Sequence, residues 1–199
     1  MYGRKAAPSI QLSALLLISL LAFIIRIFSF IKYESIIHEF DPWFNYRVTQ
    51  FLTKEGAYAL WNWFDPESWY PLGRLVGETT YPGIMFTSAF LQSLFAFFLI
   101  PIDIRNVCVF IGPIFASLTS ISSFFLTKEV TGRSDSGLLT ALFIAIVPGY
   151  ISRSVAGSYD NEAVAIFALI TTFYFYLKAL NSVSRKPFKF FYRVRSSGR

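Results

Sequence analysis

The sequence predicts an all-α integral membrane protein, and three observations carry that prediction. Hydrophobic residues make up 54% of the 199-residue chain and charged residues only 15%, where a soluble domain of this length carries about a quarter. Mean hydropathy is +0.50. Apolar runs recur at residues 10–25 (resuming after Arg26 to residue 31), 83–100, 107–127, 137–151 and 163–180. The arrangement expected is about four transmembrane helices plus a large loop that carries interfacial helices.

The first run follows Arg4 and Lys5 and lacks a small-residue cleavage site, so it reads as an uncleaved signal anchor with a cytoplasmic N-terminus. Arg26 near its end is expected to snorkel toward the far interface. Residues 32–81 hold all four Trp residues, many Tyr residues and the punctuated stretches "DPWFNY", "DPESWYPLGR" and "YPG". Such aromatic, amphipathic sequence suits the bilayer surface, where Trp and Tyr are more often anchors than sugar-stacking platforms.

Charge decides which of the remaining runs cross. The turn "TKEVTGRSDS" (127–136) carries Lys128 and Arg133, and residues 181–199 hold six Lys or Arg and no acid. Both should share the cytoplasmic side with the N-terminus. Five crossings would put both outside. Removing one between residues 81 and 106 repairs both conflicts, and the 83–100 run, with Gln92 and several Ser and Thr, is the one to remove. The expected spans are then 11–31, 108–127, 136–151 and 162–181. They give a transmembrane part over 1–181 with a non-cytoplasmic loop at about 32–107, then a basic cytoplasmic tail over 182–199. The basic balance faces an anionic membrane, not nucleic acid, for which no fold signal is present. Cys108 lies alone in an apolar run, reads as a small membrane-buried residue, and leaves the redox compartment unread.

Under this topology two acidic pairs meet on one side: Glu39 with Asp41, and Asp160 with Glu162. Residues two apart on a helix point about 200° away from each other, so either pair shares a ligand only if its segment is extended. Pro42 disfavours helix at Asp41, and residues 156–158, Ala-Gly-Ser, loosen the backbone before Asp160. Carboxylates from two loops make a hard-cation site of the Mg²⁺, Mn²⁺ or Ca²⁺ type, able to neutralise a departing phosphate or diphosphate. Arg153 could hold the same phosphates. Each Asp reads as readily as a helix N-cap, which leaves Glu39 and Glu162 less well explained. His38 is set aside as a ligand because hard cations prefer oxygen.

The segments "IHEFDPWFNYR" (37–47), "WYPLGRLVGETTYPG" (69–83), "PIDIRNVCVF" (101–110) and "FIAIVPGYISRSVAGSYDNEAVAIF" (143–167) resemble the catalytic subunit of eukaryotic oligosaccharyltransferase. The resemblance covers residues 29–176. It implies the N-terminal half of a type C glycosyltransferase fold in the endoplasmic-reticulum membrane, using Mn²⁺ or Mg²⁺. The implied reaction moves a preassembled oligosaccharide from dolichyl diphosphate to Asn in Asn-X-Ser/Thr of an acceptor polypeptide, with other oligosaccharyltransferase subunits as partners. By matching motifs Asp41 is metal ligand and catalytic acid, Glu39 opens the same motif, and Asp160 and Glu162 are the second-loop metal residues. Arg153 lies in a matching segment as the phosphate-binding candidate.

The family's acceptor-recognition motif, Trp-Trp-Asp-Tyr-Gly, has no counterpart here; "WNWFD" (61–65) lies in the wrong loop. The expectation is therefore an N-terminal portion that is inactive alone. The alternative is a non-catalytic short membrane product that binds the partner subunits. A small cation transporter ranks last, because it would need acids within a helix and not at its mouth.

Overall fold

The computed structural model describes residues 7–185, with side chains to residue 182. The stretch from residue 186 on, which holds most of the expected basic tail, lies outside the described residues. The order is α1 (Pro8–Ile24), α2 (Phe28–Tyr33), α3 (Phe40–Trp61), β1 (Phe64–Asp65), β2 (Arg74–Leu75), α4 (Val76–Thr79), α5 (Gly83–Phe97), α6 (Ile104–Thr131), α7 (Ser134–Ile146), α8 (Pro148–Ile151) and α9 (Asn161–Arg185). The described residues are helical as expected, apart from one antiparallel pair of two-residue strands that the sequence did not signal.

Three helical stretches among the described residues are long and apolar enough to cross a membrane: Pro8–Tyr33, Ile104–Thr131 and Asn161–Ser182. They correspond to three of the four expected spans. The fourth, 136–151, is not one helix. α7 has 13 residues, about 20 Å at 1.5 Å per residue, against about 30 Å of hydrocarbon. Pro148 is the cause: it brings no N–H, and Val147 before it is extended at ψ 124°. α7, α8 and the coil to Gly157 together retrace α6 from Phe124 to Val109.

The packing fixes relative directions. Ser117 Oγ donates to the Ser19 carbonyl at 2.9 Å, and Phe23 stacks on Phe110, so α1 and α6 are antiparallel. α9 runs parallel to α6: Phe115 meets Phe167, Ser122 meets Thr171 at 3.0 Å, and Asn181 donates to Glu129 at 2.8 Å. Leu15, Phe124 and Ala141 form a small core at one end. The larger core, around Ile37, Val48, Val76, Ile84, Ile111 and Tyr159, fills the other.

At that second end Ser35 donates to Asn106 at 2.6 Å. The chain therefore leaves and re-enters the bundle at the same end, and α5, with 15 residues, does not carry it across. The excursion is braced by Asp65, whose fully buried carboxylate accepts from Arg47 at 2.9 Å, the Glu67 amide at 3.1 Å and Ser68 at 2.6 Å. Phe51 stacks on Trp63 with centroids 4.0 Å apart. Arg26 departs from expectation: it is fully buried inside the bundle and does not snorkel.

Candidate functional site

Three pieces meet at the excursion end: the first turns of α3, the start of α6, and the coil between α8 and α9. The coil lies against α6 because α6 makes room for it. Pro113 lacks an N–H, so the Val109 carbonyl has no i+4 partner and accepts instead from the Gly157 amide at 3.1 Å. A Cβ on Gly112 would lie 2.8 Å from the Ser154 carbonyl oxygen, so only glycine permits that approach. On the other side Gly157, at φ +92°, accepts from the His38 amide at 3.0 Å, and any Cβ there would collide with the Ile36 carbonyl. The coil is thereby threaded between residues 36–38 and α6. His38 itself bonds Ser29 through Nε2 at 2.6 Å.

Tyr159 locks the coil one residue before the acid. Its hydroxyl meets Thr49 of α3 at 2.8 Å and Ser88 of α5 at 2.7 Å, and reaches the Ile84 carbonyl at 3.3 Å. Burial pushes the phenol well above its ordinary value, so it stays neutral at physiological pH. Asn45, also buried, donates to the Tyr159 carbonyl at 3.1 Å and points the same amide at Asp160 Oδ1, 3.5 Å away. Neither Asn45 nor Tyr159 carried a sequence signal beyond lying in the quoted motifs.

Asp160 is half-buried and accepts from the Asn161 amide at 2.7 Å, at the first residue of α9. Glu162 follows in the first turn. One of its oxygens lies 3.7 Å from Arg153 Nη1, and the other, Oε2, is buried with no hydrogen-bond partner. Arg153 is itself mostly exposed. Asp41 and Glu39 are exposed and engage no partner among the described residues. Glu39 is the N-cap of α3 at φ 67°, without a side-chain cap bond, so Asp41 lies within the first helical turn. The extended acid-x-acid geometry expected for residues 39–41 therefore does not occur, and Asp41 is not the cap. Four residues before Asn45, Asp41 lies on the α3 face that turns toward Asp160. On the opposite side of α3 a cavity of about 440 Å³ is lined by Trp43, Phe44, Tyr46, Arg47 and Gln50.

The structure thus brings the two acidic pairs to one end without gathering them. Among the described residues no three His, Cys, Asp or Glu side chains lie close enough to hold one metal ion. The donor chemistry nonetheless fits a hard divalent cation: carboxylate oxygens only, one of them buried and unmatched.

Residues 10–194 match the family model described as "Oligosaccharyl transferase STT3, N-terminal". The dolichyl-diphosphooligosaccharide–protein glycosyltransferase subunit STT3A of Oryza sativa subsp. japonica is 56% identical over 189 residues, covering 92% of this chain and 24% of that protein. Subunit STT3 of Saccharomyces cerevisiae is 59% identical over 155 residues, covering 77% of this chain and 21% of its own length. The chain thus spans about a quarter of the curated relatives it matches. Among solved structures, the Archaeoglobus fulgidus oligosaccharyltransferase in its apo form superposes with a TM-score of 0.71 at 24% identity, covering 87% of this chain and 20% of that one. That likeness establishes a shared fold.

Proposed function

The chain belongs to the oligosaccharyl transferase STT3 N-terminal family, and from that membership we propose that it is the N-terminal part of a subunit transferring oligosaccharide from dolichyl diphosphate to Asn of an acceptor polypeptide. The observation that carries the reading is the placement of Asp160 and Glu162 at the start of α9, beside the α3 face that bears Asp41, with Glu162 Oε2 buried and unmatched. The relatives' names give the dolichyl-diphosphate-linked oligosaccharide as donor and protein as acceptor.

An amide nitrogen is a poor nucleophile because its lone pair is delocalised into the carbonyl. In this reading Asp41, exposed and unengaged, accepts from the acceptor amide N–H and weakens that delocalisation, while Glu39 shapes the approach of α3. Asp160 and Glu162, with Asp41, would hold Mn²⁺ or Mg²⁺. The cation, when bound, offsets the negative charge that develops on the departing diphosphate. Arg153, mostly exposed and held loosely by Glu162, supplies a second positive charge for the phosphates. The excursion end faces the lumen of the endoplasmic reticulum, the N-terminus faces the cytoplasm, and other oligosaccharyltransferase subunits and membrane lipid surround the bundle. The test is acceptor-peptide transfer in the full-length subunit: D41N and D160N should each lower turnover by at least about a hundredfold, and full turnover in either variant removes that residue from the site.

A further inference from the structure

Arg26 is the one arginine with no exposed surface among the described residues, and it sits in the interior of a membrane bundle. No carboxylate among the described residues pairs with it. Its partners are instead helix ends. The Arg26 amide turns back to Phe23, which frees the Ala22 carbonyl, and Arg26 Nη1 donates to that carbonyl at 2.9 Å. The break at Pro148 likewise leaves the Ala145 carbonyl without a backbone partner, and the same Nη1 reaches it at 2.8 Å. One cation thus caps the negative ends of α1 and α7. Tyr150 presents its ring 5.1 Å from the guanidinium carbon, adding a cation–π contact.

The remaining bonds run to the coil. Arg26 Nε donates to Ser154 Oγ at 2.7 Å, and the Arg26 carbonyl accepts from the Ala156 amide at 2.9 Å. Side chain and backbone of one residue therefore hold the coil at two points, four and six residues before Asp160. Nη2 finds no partner among the described residues. A buried charge with a donor left over is a poor way to stabilise a bundle, since well-packed apolar side chains commonly do as well or better. Such a charge is better explained by what it orients. We infer that Arg26 is a positioning residue, fixing the 152–160 coil so that Asp160 and Glu162 face α3.

This inference rests on the transferase reading for its consequence, though not for its geometry. The test splices the matched segment into the Saccharomyces cerevisiae relative and follows three variants by turnover and by hydrogen exchange of the peptide spanning 152–160. R26M should lower kcat at least tenfold, leave the KM for acceptor peptide unchanged, and speed exchange of the Ala156 and Gly157 amides at least tenfold while α6 stays protected. R26K should recover kcat to within about threefold of the parent, because an ammonium can donate to the same carbonyls. S154A, a smaller change should R26M not fold, should speed the same amides and lower kcat about threefold. Unchanged exchange and turnover in R26M overturns the inference. So does faster exchange throughout the bundle without rescue by R26K, which would mark a merely structural residue. Controls run in parallel separate the claims: no transfer by the parent chimera removes the transferase reading, full transfer in D160N removes Asp160 from the site, and lost transfer in D160N with normal kcat in R26M removes the positioning role alone.

Discussion

Tyr159 concentrates at one residue what holds the site in place. Its hydroxyl joins α3, α5 and the coil, and its carbonyl receives Asn45. Removing the oxygen in Y159F breaks this link between helices while Thr49 and Ser88 keep their bonds to the Asn45 and Ile84 carbonyls, a loss of about 0.5–1.5 kcal/mol, read as a lower Tm in detergent. The buried phenol also couples folding to alkaline pH. Its folded pKa is raised above the ordinary 10.0 by burial. Below about pH 10 both states are protonated and the contribution is constant. Above it the unfolded phenol loses its proton first, the unfolded state binds fewer protons, and stability falls as pH rises. The Tm of Y159F should accordingly decline less steeply between pH 9 and 11 than that of the parent. An equal slope would show that Tyr159 ionises freely in the folded chain.

Among the elements, the apolar runs announced α1, α6 and α9 because a membrane-spanning helix is written as local hydropathy. The short reach of α5 was legible in the same way, through Gln92 and the charge count on either side. α7 was overextended because a run of apolar residues continues through Pro148, and hydropathy does not register a missing N–H. Asp41 was placed in extended chain on the strength of Pro42, yet a proline is also at home in a helix's first turn, and α3 begins one residue before the acid. Arg26 could not have been assigned from sequence, since its partners Ala145 and Ser154 lie 119 and 128 residues away. The threaded coil yields its own prediction. G157A places a Cβ against the Ile36 carbonyl in a left-handed backbone, costing about 1–3 kcal/mol, and should expose residues 152–160 to limited proteolysis before the helices open. A coil as resistant as the parent's would mean that residues 36–38 do not cover it.

For the whole molecule, the decisive relation is that both acidic pairs lie at one end while the Thr131–Ser134 turn lies at the other. The contacts require it. α1 and α6 are antiparallel, α6 and α9 parallel, and Ser35 bonds Asn106 across the base of the excursion. Only an odd number of crossings between residues 41 and 160 would separate the acids, and the chain makes two: down along α6 and back along α7, α8 and the coil. A membrane-impermeant thiol reagent turns this into a measurement. D41C and D160C in sealed vesicles should label from the same side, R133C only from the other, and the buried Cys108 should not compete. Labelling of residues 41 and 160 from opposite sides would require one of these helix pairings to be reversed. It would also leave Asp41, Asp160 and Glu162 without a common aqueous face on which to act together.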